Sequence, residues 1–117
     1  MKNEQLKAIK ILEELIDYFF RNGSYDLNMA LKYHKDKICI HVEGTCEHRP
    51  ADFMELYELL NSARRPELEG YYYELLGSSV GNGELKLLGS LIDRADMSYE
   101  NNLLSVTVFR YLTGKGS

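Results

Sequence analysis

Two short runs, one in each half of the chain, constrain its fold most. In KICIHVE (37–43), Ile38, Ile40 and Val42 alternate with Cys39, His41 and Glu43, and in LLSVTVFRYL (103–112), Leu104, Val106 and Val108 take every second position. A period of two sends alternate side chains to opposite faces of an extended chain, so each run reads as a strand with one face buried. Each is preceded by a partner. YDLNMALKY (25–33) carries Leu27, Met29, Leu31 and Tyr33 at alternate positions and joins KICIHVE through the turn His34-Lys35-Asp36-Lys37. Met97 and Tyr99 lead through Asn101-Asn102 into the last run, and Asn tolerates the positive φ that a two-residue hairpin turn requires. Two antiparallel hairpins are expected. The outer face of the first carries Asn28, Lys32, Cys39, His41 and Glu43.

The remaining apolar residues follow a helical period. Leu6, Ile9, Leu12, Leu15, Ile16, Phe19 and Phe20 recur at intervals of three and four, which predicts a helix over 3–22 with Asn22-Gly23 as its stop. Pro50 opens a second helix over 51–65, with Phe53, Leu56, Tyr57, Leu60 and Ala63 on one side. Pro66 ends it and starts a third, in which Leu68, Tyr71, Tyr72, Leu75 and Leu76 keep the spacing. GSSVGNG (77–83) reads as a loop, and GELKLLGSLIDRA (83–95) as a fourth helix that groups Leu85, Leu88, Ile92 and Ala95. The order α-β-β-α-α-α-β-β implies an α+β two-layer sandwich: one mainly antiparallel sheet from two hairpins, with helices on one face. Residues 1–113 form a single domain and 114–117 a flexible tail.

Charge and composition exclude some partners. The chain has 117 residues, is 44% hydrophobic and carries a formal net charge of −4. It has no basic cluster of the kind that grips phosphate backbones, so nucleic acid is not an expected partner. No apolar run approaches the ~18 residues of a membrane span, and the N-terminal stretch lacks the apolar core of a secretion signal. Two cysteines are too few for a disulfide framework. The expectation is a cytoplasmic protein with reduced thiols.

Three stretches carry a family resemblance. EELIDYFFRNG, YDLNMALKYHKDKICIHVEG and VGNGELKLLGSLIDRADMSYENNLLSVTVFRYL together resemble the ATP-binding domain of the GHKL superfamily, which includes gyrases and histidine kinases. The chain looks most like the compact anti-sigma-factor serine kinases. The resemblance implies the fold and a nucleotide site. That site uses an Asn on the first helix to hold Mg²⁺, an Asp-x-Gly-x-Gly turn to take the adenine amino group, and glycines ahead of a later helix to approach phosphate. Carried over by position, the Asn falls on or near Tyr18, with Asp17 beside it. The adenine turn falls on Val42-Glu43-Gly44-Thr45-Cys46, which has no Asp, and the glycines fall on Gly81 and Gly83. Asp17, Glu43, Gly81 and Gly83 are therefore the candidate nucleotide-binding residues.

Other side chains invite chemistry of their own. Cys39, His41, Cys46 and His48 are soft donors that suit tetrahedral Zn²⁺, but C-x-H-x4-C-x-H leaves little chain to wrap one ion, and the reading preferred is strand-face residues for Cys39 and His41 and loop residues for Cys46 and His48. Cys46, with His48 and Arg49 nearby, has cationic neighbours that favour a thiolate. Tyr71, Tyr72 and Tyr73 cannot all face one core from a helix, which makes them a candidate partner surface. The function expected is a non-catalytic regulatory or protein-interaction module with a degraded nucleotide site, bound to a protein partner or to a second copy. The alternatives are an ATP- and Mg²⁺-dependent serine kinase or ATPase with a divergent site, and a small metal-binding domain.

Overall fold

A computed structural model of the protein describes residues 2–61, 88, 89 and 91–112. The described elements are α1 (Lys2–Arg21), β1 (Leu27–Tyr33), β2 (Lys37–Thr45), α2 (Phe53–Leu60), β3 (Arg94–Glu100) and β4 (Leu103–Tyr111). The strands form one antiparallel sheet in the order β1-β2-β4-β3, so the second strands of the two hairpins lie side by side at its centre. The architecture is α+β. The further helices expected over 66–76 and 83–95 fall largely outside the described residues, as do Tyr71, Tyr72, Tyr73, Gly81 and Gly83. One boundary is corrected: Arg94 and Ala95, expected at the end of the fourth helix, already belong to β3, where Ala95 pairs with Val108.

Both hairpins form where alternation places them. Along β2 the even positions Ile38, Ile40, Val42 and Gly44 are buried and the odd ones half-buried, and along β4 Leu104, Val106, Val108 and Arg110 are buried. Asn101 and Asn102 close the second hairpin with φ of +53° and +63°, the left-handed pair of a type I′ turn. The buried set of the central strands meets Ile11, Leu15 and Phe19 of α1 and Leu56 and Leu60 of α2 in one hydrophobic core, so the helices share one face of the sheet.

α1 ends as its sequence predicts. Gly23 has φ +83°, Ser24 N–H donates to the Phe19 carbonyl (3.0 Å) and Gly23 N–H to that of Phe20 (3.0 Å), which is the bond pattern of a Schellman cap. Its buried face is rotated from the expected stripe. Ala8, Ile11, Leu15, Tyr18 and Phe19 face the core, whereas Leu6, Ile9 and Phe20 are exposed. Apolar residues cover an arc of this helix wider than the face that docks, so periodicity alone does not fix its angle. Small Ala8 and the hydrogen-bonding Tyr18 mark the side that does. At the other end of α1, Glu4 receives Arg110 Nε and Nη2 at 2.8 and 3.1 Å, while Arg110 Nη1 donates to the Leu91 carbonyl at 3.0 Å. That fork satisfies a guanidinium buried to 3% exposure.

Two further expectations are corrected. The second helix, expected over 51–65, starts at Phe53 and is helical to Leu60, with 62–65, Ala63 among them, outside the described residues, and Tyr57 is exposed instead of sharing the core with Leu56 and Leu60. β1 was expected to be half-buried. Met29, Leu31 and Tyr33 do stand on the helix-side face, in register with Val42, Ile40 and Ile38, yet each is exposed. α1 packs over β2 and does not extend across the outer strand.

Candidate functional site

Among the described residues, a dense polar network lies where α1 ends, β2 ends and α2 begins. The chain leaving α1 doubles back to enter β1 and passes close over β2. A side chain at Gly44 would meet Ser24 and Leu27, and Ser24 Oγ instead donates to the Thr45 carbonyl (2.8 Å). Next along, Cys46 is completely buried, and its thiol donates to the carbonyls of Asn22 and His48, both at 3.2 Å. Its own backbone is held by the second hairpin. Cys46 N–H donates to the Asn102 carbonyl (2.7 Å), and Tyr99 Oη donates to the Cys46 carbonyl (2.7 Å).

Tyr18 completes this knot. Its ring is buried and its hydroxyl donates to Asp52 Oδ1 at 2.8 Å. Asp52 sits at the N-cap of α2 but makes no side-chain cap there; its carboxylate serves Tyr18 instead. Burial drives the Tyr18 hydroxyl far above the usual phenol range, and the hydrogen bond to Asp52 pushes in the same direction. At neutral pH the group is a neutral donor with its partner in place.

The candidate nucleotide residues are spread apart. Asp17 lies on the exposed side of α1 and pairs with Arg21 at 2.8 Å. Glu43 projects from the opposite face of the sheet, where it meets His41. Gly81 and Gly83 are outside the described residues. The Cys and His pairs are divided in the same way. Cys39 and His41 stand on the open face of β2, Cys46 is in the core and His48 is exposed in the following loop. Among the described residues, no three His, Cys, Asp or Glu side chains are grouped to hold a metal ion.

The open face has its own polar row. His41 Nδ1 lies 2.7 Å from Thr107 Oγ1 on β4 and His41 Nε2 lies 3.0 Å from Glu43 Oε1, which clamps the ring between neighbours on a flat surface. Further along, Arg94 stacks 4.3 Å above the Phe109 ring. At the β3 edge, a cavity of about 360 Å³ opens between residues 97–100 and the start of α2, walled there by Arg49, Phe53 and Met54.

Several of these partners were not singled out by sequence reasoning. Asp52 carried a signal, as an acid at a helix start, but that signal points to a cap. Asn61, whose amide bonds the backbone of Ala95, carried no signal, since it falls inside the helix expected over 51–65. Tyr99 was identified only through its alternation. No described helix is long and apolar enough to cross a membrane. No family model matches the chain, and no curated protein matches it in sequence.

Proposed function

We propose that this chain is a non-catalytic regulatory module that binds another protein or a second copy of itself. In this reading it is built on a GHKL-type ATPase scaffold of order α-β-β-α-α-α-β-β, works in the cytoplasm and no longer uses its nucleotide site. The observation that supports it is Tyr18. At or beside the position where the resemblance calls for a Mg²⁺-holding Asn stands a buried aromatic residue whose hydroxyl is held by Asp52. A neutral phenol is a poor ligand for a hard cation that prefers carboxylate, carbonyl and water oxygens. Asp17, the nearest substitute, is turned outward toward Arg21, and Glu43 lies across the sheet from it. Among the described residues, those at the Mg²⁺ position do not offer the ion a set of hard oxygen ligands. Tyr71, Tyr72 and Tyr73 and the open sheet face remain the surfaces this reading offers a partner.

Titration calorimetry with ATP, with and without Mg²⁺, tests the loss of the site. No saturable heat is expected at millimolar nucleotide. A Mg²⁺-dependent dissociation constant in the micromolar range would overturn the reading, because such affinity corresponds to about 8 kcal/mol of specific contacts.

A further inference from the structure

Among the described residues, β3 is an edge strand that is closed at one end and open at the other. Ala95 N–H donates to Asn61 Oδ1 at 2.9 Å, and Asn61 Nδ2 donates to the Ala95 carbonyl at 3.0 Å. The Asn61 amide thus does for Ala95 what a neighbouring strand would do. Backbone groups alternate in direction along a strand, so those facing the same way as Ala95 belong to Met97 and Tyr99. Among the described residues, neither has a backbone partner on that side. The cavity adjoins this open stretch, and Met54 on α2 faces it across the gap. Arg49 stands at the mouth, its guanidinium 4.6 Å from the Phe53 ring centroid, with no acid bonded to it among the described residues.

We propose that β3 accepts a short extended segment of a partner protein as an added strand, with one apolar side chain of that segment entering the cavity beside Met54 and Met97 and a carboxylate meeting Arg49. Strand addition takes affinity from main-chain bonds and specificity from pockets for alternate side chains, and this groove offers both. Two methionines suit it to a range of apolar side chains, because thioethers repack at little cost. An Arg stacked on an aromatic ring, with no acid bonded to it among the described residues, is preorganised for a carboxylate. A second copy of β3 fits poorly. Symmetric pairing about Ser98 sets Glu100 against Asp96 of the other copy, and like charges directly opposite are unfavourable. Pairing about Met97 needs the groups of Ala95 that Asn61 already holds. The proposal rests on the protein-binding reading above and gives it a surface and a class of partner.

The test uses the full chain labelled with ¹⁵N and synthetic peptides of about seven residues, a usual strand length. These alternate Thr and Val around a central Leu, and end in a free carboxylate, in an amide, or in an amidated Asp. The expected result is that amide shifts are largest at Met97 and Tyr99, and that N-methylation of the peptide at the positions facing β3 weakens binding by about tenfold while methylation at the intervening positions does not. Arg49→Glu should weaken the carboxylate-bearing peptides by about tenfold and leave a peptide without a carboxylate unchanged, whereas Glu100→Gln, which removes an acid from the opposite lip, should strengthen them by about threefold. Comparing the free-acid peptide with the amidated Asp peptide shows whether a chain terminus or an acidic side chain is the preferred source. Retained dispersion of the variant spectra confirms folding. Absence of shifts at Met97 and Tyr99 with every peptide at millimolar concentration overturns the proposal, as does binding indifferent to N-methylation. If peptides fail and Mg²⁺-ATP also fails to bind, the module reading stands with another surface; if Mg²⁺-ATP binds, the module reading falls whatever the peptides do.

Discussion

The two outer strands make a controlled comparison within one sheet. β1 and β3 have equal lengths, Leu27–Tyr33 and Arg94–Glu100, each opens a hairpin, and each sends alternate apolar side chains to the helix side. On β3 that set is Ala95, Met97 and Tyr99. Ala95 is buried, the other two are half-buried, and Asn61 and the Tyr99 hydroxyl tie the strand to its surroundings. On β1 the set is Leu27, Met29, Leu31 and Tyr33. Only Leu27 is partly covered, while Met29 and Leu31 keep 44% and 39% exposure. The difference lies in the second layer. α2 packs against β3, whereas α1 sits over β2. Alternation therefore tells which side chains face the helices but not how far the helical layer reaches.

The comparison breaks most sharply at Gly44. β1 pairs with β2 along its whole length, but its helix side is covered only at its beginning, where Leu27 pairs with Gly44 and the 24–26 connection crosses over β2. A Cβ at Gly44 would stand 2.6 Å from Leu27 Cδ2 and 3.1 Å from the Asp26 carbonyl, and would overlap Ser24 Oγ. Gly44→Ala should therefore cost about 3 kcal/mol, at the upper end for overpacking, measured by urea unfolding. A loss below about 0.5 kcal/mol, the range of ordinary surface changes, would show that the connection yields freely and that β1 is held by its pairing with β2 alone.

β3 should respond at Asn61. Asn61→Ala leaves the N–H and C=O of a buried Ala95 without the amide that bonds them, for an expected loss of about 2 kcal/mol. Hydrogen exchange reads the effect locally: the Ala95 amide should lose protection while those of the central strands keep theirs. Equal exchange in parent and variant would mean that the amide contributes nothing to the edge, and that β3 and β1 differ only in burial.

Local pattern carried much of this fold. Strand positions and faces in β2 and β4, the Asn101-Asn102 turn and the cap at Gly23 follow from period, positive φ and the tolerance of Asn and Gly for it. What could not be read is the geometry of contacts between distant segments. Tyr18 and Asp52 are 34 positions apart, Asn61 and Ala95 also 34, and Tyr99 and Cys46 are 53 apart. Each of these residues has an ordinary local reading, as helix-face aromatic, cap, helix-interior, loop or strand position, and its partner appears only once the layers are packed. The rotation of α1 has the same origin. Ile9 and Ile11 are equally apolar, and only docking against β2 and β4 buries Ile11 and leaves Ile9 exposed. The Cys and His residues illustrate the reverse. Proximity along the chain suggested one cluster, but strand alternation puts Cys39 and His41 on one side of the sheet and Cys46 on the other.

The smallest expected effect sharpens the comparison by using one polar replacement on both edges. Leu31→Thr exchanges an exposed leucine for a β-branched residue that suits a strand, so little burial is lost and stability should stay within about 0.5 kcal/mol of the parent. Met97→Thr removes a side chain packed against the core from the corresponding face of β3, and should cost about 1 kcal/mol, since part of its apolar area is already out of water. Unfolding both variants at two protein concentrations gives the comparison a second axis. The edges differ as described if Leu31→Thr is silent at both concentrations and Met97→Thr is not. Should Leu31→Thr instead lose more than Met97→Thr, and lose more as the protein is concentrated, then another copy covers the apolar face of β1 in solution. The contrast between the strands would then belong to the isolated chain, because an oligomer's stability depends on protomer concentration and a monomer's does not.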